Sequence, residues 1–262
     1  MAGFFLASQH DFSLSLFLST IVGISLVMAS ACVINNMIDR DIDARMDRTK
    51  KRALSSGKVS LQAAGLYGTA LGTAGFMLLS LKVNILATTV AAIGYFFYVV
   101  LYSIGKRRSV HGTLVGSVAG AVPPVVGYVA VANQLDQAAL LLFLLLVFWQ
   151  MPHFYAIALR RKKDYVAAGL PVLPAKKGDR AAVRQILFYE AAFMAVVVVF
   201  WLQGYASLLF LVIMLGLSLE WLRRSWSGYS APDRVAWARR VFLFSLIVLL
   251  GLCASISIDS LT

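Results

Sequence analysis

The 262-residue chain is 60% hydrophobic and only 14% charged, with a mean hydropathy of +0.79. That composition excludes an ordinary soluble domain. The net charge of +12 would suit nucleic acid, but of the 24 Lys and Arg only Lys82 falls outside four clusters, at 40–58, 106–108, 160–184 and 223–240. Cations gathered in alternate loops orient a membrane protein, so the expected partner is a lipid bilayer with anionic headgroups and not nucleic acid.

Apolar runs of about 20 residues, the length that crosses a bilayer, predict spans at 12–34, 61–81, 84–104, 113–132, 138–158, 185–203, 205–222 and 240–258. The residues before them lack the basic start of a secretory leader and run straight into the first span. With the first span starting outside, all four basic clusters face the cytoplasm. The opposite side keeps only tight connections near Lys82-Val83-Asn84, 133–137 and Gly204. The reading is a single all-α polytopic domain over 1–262, with cytoplasmic loops at about 35–60, 105–112, 159–184 and 223–239. Cys32 and Cys253 lie inside apolar runs, which predicts small core residues and no disulfide.

The first span ends in Asn35-Asn36-Met37-Ile38-Asp39-Arg40-Asp41-Ile42-Asp43. Asn35, Asp39 and Asp43 recur every fourth residue, which at about 100° per residue keeps them on one helix face. Two carboxylates and an amide at a membrane helix end are costly without a partner. A magnesium ion carrying a diphosphate fits, because Mg²⁺ takes one or two carboxylates plus phosphate oxygens. Arg45, Arg48, Lys50, Lys51 and Arg52 follow and would pair with the remaining phosphate charge. Asp41 is rotated about 200° from Asp39 and, with Asp47, reads as part of a solvated helix end.

Glycines 65, 68, 72 and 75 in the second span, and 112, 116, 120 and 127 in the fourth, allow helices to approach closely. The turn Tyr102-Ser103-Ile104-Gly105-Lys106-Arg107-Arg108 reads as an orientation signal, or as a second phosphate grip through Lys106 and Arg107. Pro123-Pro124 bends the fourth span, either as a plain kink or to line a cavity. The fifth span closes on Trp149-Gln150-Met151-Pro152-His153-Phe154-Tyr155. His153, Tyr155, Asp164 and Tyr165 are candidates for substrate contact, His153 competing with a packing role and Asp164 with charge balance. His10 and His111 belong to no constellation.

These strings carry a resemblance. Asn35-x-x-x-Asp39-x-x-x-Asp43 at a membrane helix end resembles the first aspartate motif of the UbiA-type intramembrane prenyltransferases. NNMIDRDIDARMDRTKKRAL, YSIGKRRSVHGTLVGSVAGAVPPVVGY and WQMPHFYAIALRRKKDYVAAGLPVLPAKKG are similar to its heme-specific branch, the protoheme IX farnesyltransferases. The similarity runs along nearly the whole chain. It implies a bundle of eight to nine transmembrane helices, residues 1–10 being the remnant of a first helix that family members begin with a basic, Lys-Pro-containing segment. Where other members carry a second Asp-rich repeat, this chain offers Asp164 between Lys163 and Tyr165.

The implied reaction moves a farnesyl group from farnesyl diphosphate to a vinyl group of heme B, giving heme O. Asp39, Asp43 and Asp164 would hold Mg²⁺, with Asn35 orienting the first two. Arg48, Lys51, Arg52, Lys106 and Arg107 would grip the diphosphate. Tyr102, Phe154 and Tyr155 would wall the cavity, and His153 and Tyr165 would contact heme. The bacterial inner membrane and heme-copper terminal oxidase biogenesis factors follow as the implied setting and partners. Two other readings of the intramembrane carboxylates stay open on the sequence: a quinone-precursor prenyltransferase, and a small-molecule transporter.

Overall fold

The computed structural model describes residues 1–8 and 12–259, all helix and connection with no strand among them; His10 lies outside the described residues. A short helix α1 (Ala2–Ser8) precedes α2 (Leu14–Ile38), the single turn α3 (Arg40–Asp43) and α4 (Leu61–Lys82). Next, α5 (Ile85–Phe96) passes through a π-helical turn, Phe97–Tyr102, into α6 (Ser103–Arg108), a continuous rod. α7 (Gly112–Ala132) and α8 (Gln137–Arg160) follow, then the short α9 (Lys162–Ala167) and α10 (Leu173–Lys176). α11 (Asp179–Leu202), α12 (Leu208–Trp226) and α13 (Arg234–Asp259) close the bundle.

The helix starts are written locally. Ser13, Ser60, Asn84, Asp136 and Ser207 each cap a long helix by accepting a bond from the backbone N–H three residues on, which satisfies an orphan donor of the first turn. Asn84 does more: its Nδ2 donates to the carbonyls of Val129 and Ala130, at 2.9 and 3.2 Å. It thereby ties the start of α5 to the end of α7.

Seven described helices are long and apolar enough to cross a membrane: α2, α4, the α5–α6 rod, α7, α8, α11 and α13. The expected span at 205–222 forms as α12 but falls short of that standard. Its last turns hold Glu220, Arg223 and Arg224, joined by ion pairs. α11 and α13 begin about six residues before the expected limits, because charged residues such as Arg180 and Arg239 are sound helix formers and the helix runs on past the apolar zone. The core gathers on α8, which packs against α7, α11 and α13. α2, α4 and α5 turn most of their apolar surface outward, including Leu18, Leu66, Leu81 and Ile85, as suits a solvent of lipid tails.

The glycine expectations hold as packing. α2 and α4 lie against each other, and a Cβ added at Gly75 would come within 2.9 Å of the Gly23 carbonyl. One at Gly116 would meet the Tyr102 ring at 2.8 Å. The cysteines are corrected: Cys32 and Cys253 are free thiols exposed on helix surfaces, since an apolar run in a membrane bundle faces lipid or a cavity as readily as a core.

Candidate active site

α2 stops at Ile38, and Asp39 caps it with φ −91° and ψ 3°. The helical repeat nevertheless continues. Asp39 N–H donates to the Asn35 carbonyl at 2.9 Å, and Asp43 N–H to the Asp39 carbonyl at 2.8 Å. Asn35, Asp39 and Asp43 therefore stay on one face, each less than one-tenth exposed.

Buried carboxylates need partners, and here cations come from two directions. From α6, Lys106 Nζ donates to Asn35 Oδ1 at 2.7 Å and forms a close ion pair with Asp39 Oδ2. Ser103, one turn earlier, donates to the same Asn35 oxygen at 3.2 Å, while Asn35 Nδ2 donates to Asp39 Oδ2 at 3.0 Å. From the loop after α3, Arg52 donates to Asp43 Oδ2 at 2.7 Å and to Asn36 Oδ1 at 3.1 Å. The π-helical turn sets this register: it rotates α6 relative to α5 and aims Ser103 and Lys106 at α2, a common use of such turns.

Arg107 points to the outside of the knot. It grips both Asp41 oxygens at 3.0 and 2.8 Å and the Ile38 carbonyl at 2.6 Å, reaching Asp39 only at 3.7 Å. The guanidinium holds the Asp41 carboxyl below the usual carboxylate range. Asp47 pairs with Lys50 at 2.5 Å. The separation of Asp41 and Asp47 from the buried trio is thus seen directly.

Two cavities of about 220 Å³ each meet beneath the knot. The upper one is lined by Tyr98, Tyr102, Lys106, Phe154, Tyr165, by Ser109, Val110, Gly112 and Thr113, and by residues 170–172. The Lys106 ammonium stands 4.7 Å from the Tyr102 ring centre. Arg48 reaches the Tyr165 side chain, whose hydroxyl burial holds protonated above its ordinary range. The lower cavity is almost wholly apolar and runs between α2, α5 and α7, past Cys32, Met28 and Pro123. Tyr98, Gly116 and Phe154 line both. Ile42, Met46 and Ala168 form a small apolar cluster with Tyr165 and Leu170, which docks the segment after α8 onto the loop after α3. The two polar loops thereby come together at one end of the bundle.

Three of the expected site residues stand apart from the knot. His153 faces α13, away from both cavities. Ser245 spends its hydroxyl hydrogen on the Phe242 carbonyl at 2.6 Å, so His153 Nδ1 donates to Ser245 Oγ at 2.8 Å. The imidazole is packed between Trp149 and Phe242, with centroids at 5.0 and 4.8 Å. Tyr155 is buried toward Tyr189 of α11. One residue along a helix turns about 100°; hence Gln150, Phe154 and Ala158 line the cavities and their neighbours do not. Asp164 lies 3.8 Å from Arg161 and does not join Asp39 and Asp43. Among the described residues no three His, Cys, Asp or Glu side chains gather to hold a metal. Lys51 is exposed.

Sequence reasoning passed over Ser103 and Gln150. Ser103 sits one turn from Lys106, and Gln150 one turn from Phe154, so helical spacing was the available signal.

The remaining donors suit a hard cation. Asn35, Asp39 and Asp43 offer oxygen, and Asp39 Oδ1 is buried with no hydrogen-bond partner, a costly state that a divalent ion would relieve.

Comparison with known proteins places this chain in a lineage. The model of the UbiA prenyltransferase family matches residues 1–247. The chain is 49% identical to protoheme IX farnesyltransferase 2 of Pseudomonas fluorescens and 50% identical to protoheme IX farnesyltransferase of Pseudomonas savastanoi pv. phaseolicola, in each case over 98% of this chain and 88% of that protein. Its fold is similar to that of digeranylgeranylglyceryl phosphate synthase (TM-score 0.82, 19% identity, 99% of this chain and 90% of that one). It is also similar to the apo structure of a UbiA homolog from Aeropyrum pernix K1 (0.77, 21%, 99% and 96%), and to a UbiA homolog from Archaeoglobus fulgidus bound to GPP and Mg²⁺ (0.68, 18%, 97% and 92%). With an all-helical multi-pass bundle and half its residues shared with protoheme IX farnesyltransferases, the chain belongs to the UbiA prenyltransferase family and is a membrane-embedded prenyltransferase.

Proposed function

We propose that the protein transfers a farnesyl group from farnesyl diphosphate to a vinyl group of heme B, giving heme O and diphosphate, at the cytoplasmic face of the bacterial inner membrane. The observation that carries this reading is the buried Asn35–Asp39–Lys106 knot at the head of an apolar cavity. Such a place holds a charged head and an isoprenoid tail at once. Support for the acceptor comes from the relatives named protoheme IX farnesyltransferase, and for the metal from the fold relative that binds GPP and Mg²⁺.

Asp39 and Asp43, held in register by Asn35, would hold Mg²⁺, which when bound neutralises charge growing on the departing diphosphate. Lys106 and Arg52 already touch those carboxylates, and each has an ammonium or guanidinium to offer phosphate oxygens. Arg48 and Lys51, on the same loop, extend that grip, and Arg107 fixes α6 to α3. As the carbon–oxygen bond of farnesyl diphosphate breaks, its first carbon becomes cation-like. Tyr98 and Phe154 stand at the junction of the two cavities, with Tyr102 beside them in the upper one; their ring faces favour positive charge and exclude stray water. The heme vinyl group then attacks that carbon from the upper cavity, and a water adds to the carbocation left on the former vinyl group and loses a proton, giving the hydroxyethylfarnesyl side chain of heme O.

The test supplies membranes containing the protein with farnesyl diphosphate and either heme B or a hydroxybenzoate, and reads products by mass. Prenylated heme with no prenylated benzoate is expected. The reverse outcome would assign a quinone-precursor acceptor and refute the reading.

A further inference from the structure

The lower cavity has a floor, and its depth matches a chain length. Its wall on α2 runs from Cys32 down to Ile24. At about 1.5 Å per residue, the rise from Asn35 to Ile24 is about 16 Å. Each five-carbon prenyl unit adds four carbon–carbon bonds, about 5 Å when extended at ordinary bond lengths. Three units laid down from the knot reach the floor, and a fourth overshoots it.

The floor is made where α5 and α7 touch. A Cβ added at Gly94 would stand 2.7 Å from Val122 Cγ1, so the valine side chain lies directly across the glycine. Val122 is 6% exposed and Ala91, one turn deeper on α5, is 1% exposed. Both line the cavity with Pro123, which lies inside α7 and brings no backbone N–H. One turn deeper Ala87 and Val126 are fully buried, while toward lipid the cavity wall carries Met28, 47% exposed, and the exposed Cys32.

We infer that Val122, seated on Gly94, sets the length of the prenyl chain at three five-carbon units, with Ala91 completing the floor. The inference rests on the proposed use of the lower cavity for the prenyl tail, and it names the residue that selects among prenyl diphosphates. The selection is by volume. A longer tail must displace a valine packed against backbone, and a shorter one leaves apolar space unfilled, each a loss of discrimination energy.

The experiment titrates geranyl, farnesyl and geranylgeranyl diphosphate with Mg²⁺ against the purified full-length protein, reading affinity by thermal stabilisation. Turnover is measured separately. Wild type should favour the farnesyl compound. Val122→Ala should move the geranylgeranyl-to-farnesyl affinity ratio up about tenfold, the scale at which a pocket rejects an extra apolar group. Val122→Thr, equal in shape, should keep the wild-type ratio and so separate volume from chemistry, and Ala91→Leu should shift preference toward geranyl. A tail that left sideways past Met28 would be blind to Val122. An unchanged ratio in Val122→Ala, or a Val122→Thr variant that moves with it, overturns the inference. Because the readout is binding, failure of heme B as acceptor would refute the proposed reaction alone. No stabilisation by any prenyl diphosphate would refute the assignment of the cavity to the tail, and the inference with it.

Discussion

At the scale of single residues, one face of one helix end separates aspartates with different surroundings. Asp39 and Asp43 are buried among cations, while Asp41 sits outside with Arg107. Replacing Asp39 or Asp43 by Ala should abolish prenyl transfer while the protein still inserts, checked by product mass and membrane fractionation. Asp41→Asn should keep turnover and cost under about 1 kcal/mol, because its ion pair is largely exposed and screened. The sign of its pH dependence follows from the lowered carboxyl pKa. The pair's contribution is present above the ordinary carboxylate range and is lost as pH falls through the lowered value. The acid limb of a melting-temperature profile should therefore flatten in Asp41→Asn. His153→Ala should cost about 1–3 kcal/mol, the range for a buried hydrogen bond left unmade, and leave a heme titration unchanged. The aspartate register was legible in the sequence because helical periodicity acts within one segment. The direction of His153 was not, since Ser245 lies on another helix and only packing decides which side of α8 faces it.

At the scale of elements, hydropathy located the helices, and the caps at Ser13, Ser60, Asn84, Asp136 and Ser207 were available as signals. What remained illegible was the π-helical turn at Phe97–Tyr102. Its residues are ordinary apolar helix formers, and the extra residue in the turn is selected by the tertiary partners of Ser103 and Lys106. The glycines of α4 could be read as a contact stripe without naming the partner helix. That partner is α2, the helix carrying the aspartates. Gly75→Leu should force α2 and α4 apart against the Gly23 carbonyl, costing about 1–3 kcal/mol as overpacking does. Because the displaced helix positions Asp39, affinity for farnesyl diphosphate should fall with stability, measured by titration and thermal unfolding of the same sample.

At the scale of the whole molecule, the composition already required a membrane bundle, and charge clustering required its polar loops to share one side. The structure adds how those loops cooperate. The loop after α3 and the segment after α8 dock through Ile42, Met46 and Ala168, bringing Arg48 to Tyr165 over the upper cavity. No periodicity within either loop announces that meeting, which depends on five or so side chains from distant segments. The arrangement places cations and carboxylates above an apolar pocket, which suits the proposed metal-assisted departure of diphosphate from a prenyl chain held below. The direct measurement is diphosphate release and heme O formation by the purified protein in lipid, from farnesyl diphosphate and heme B, before and after chelation and again after Mg²⁺ is restored. Both products are expected with Mg²⁺, neither after chelation, and both again once Mg²⁺ is restored. Heme O formed at full rate without a divalent ion, or diphosphate released with no prenylated heme, would contradict the proposed reaction.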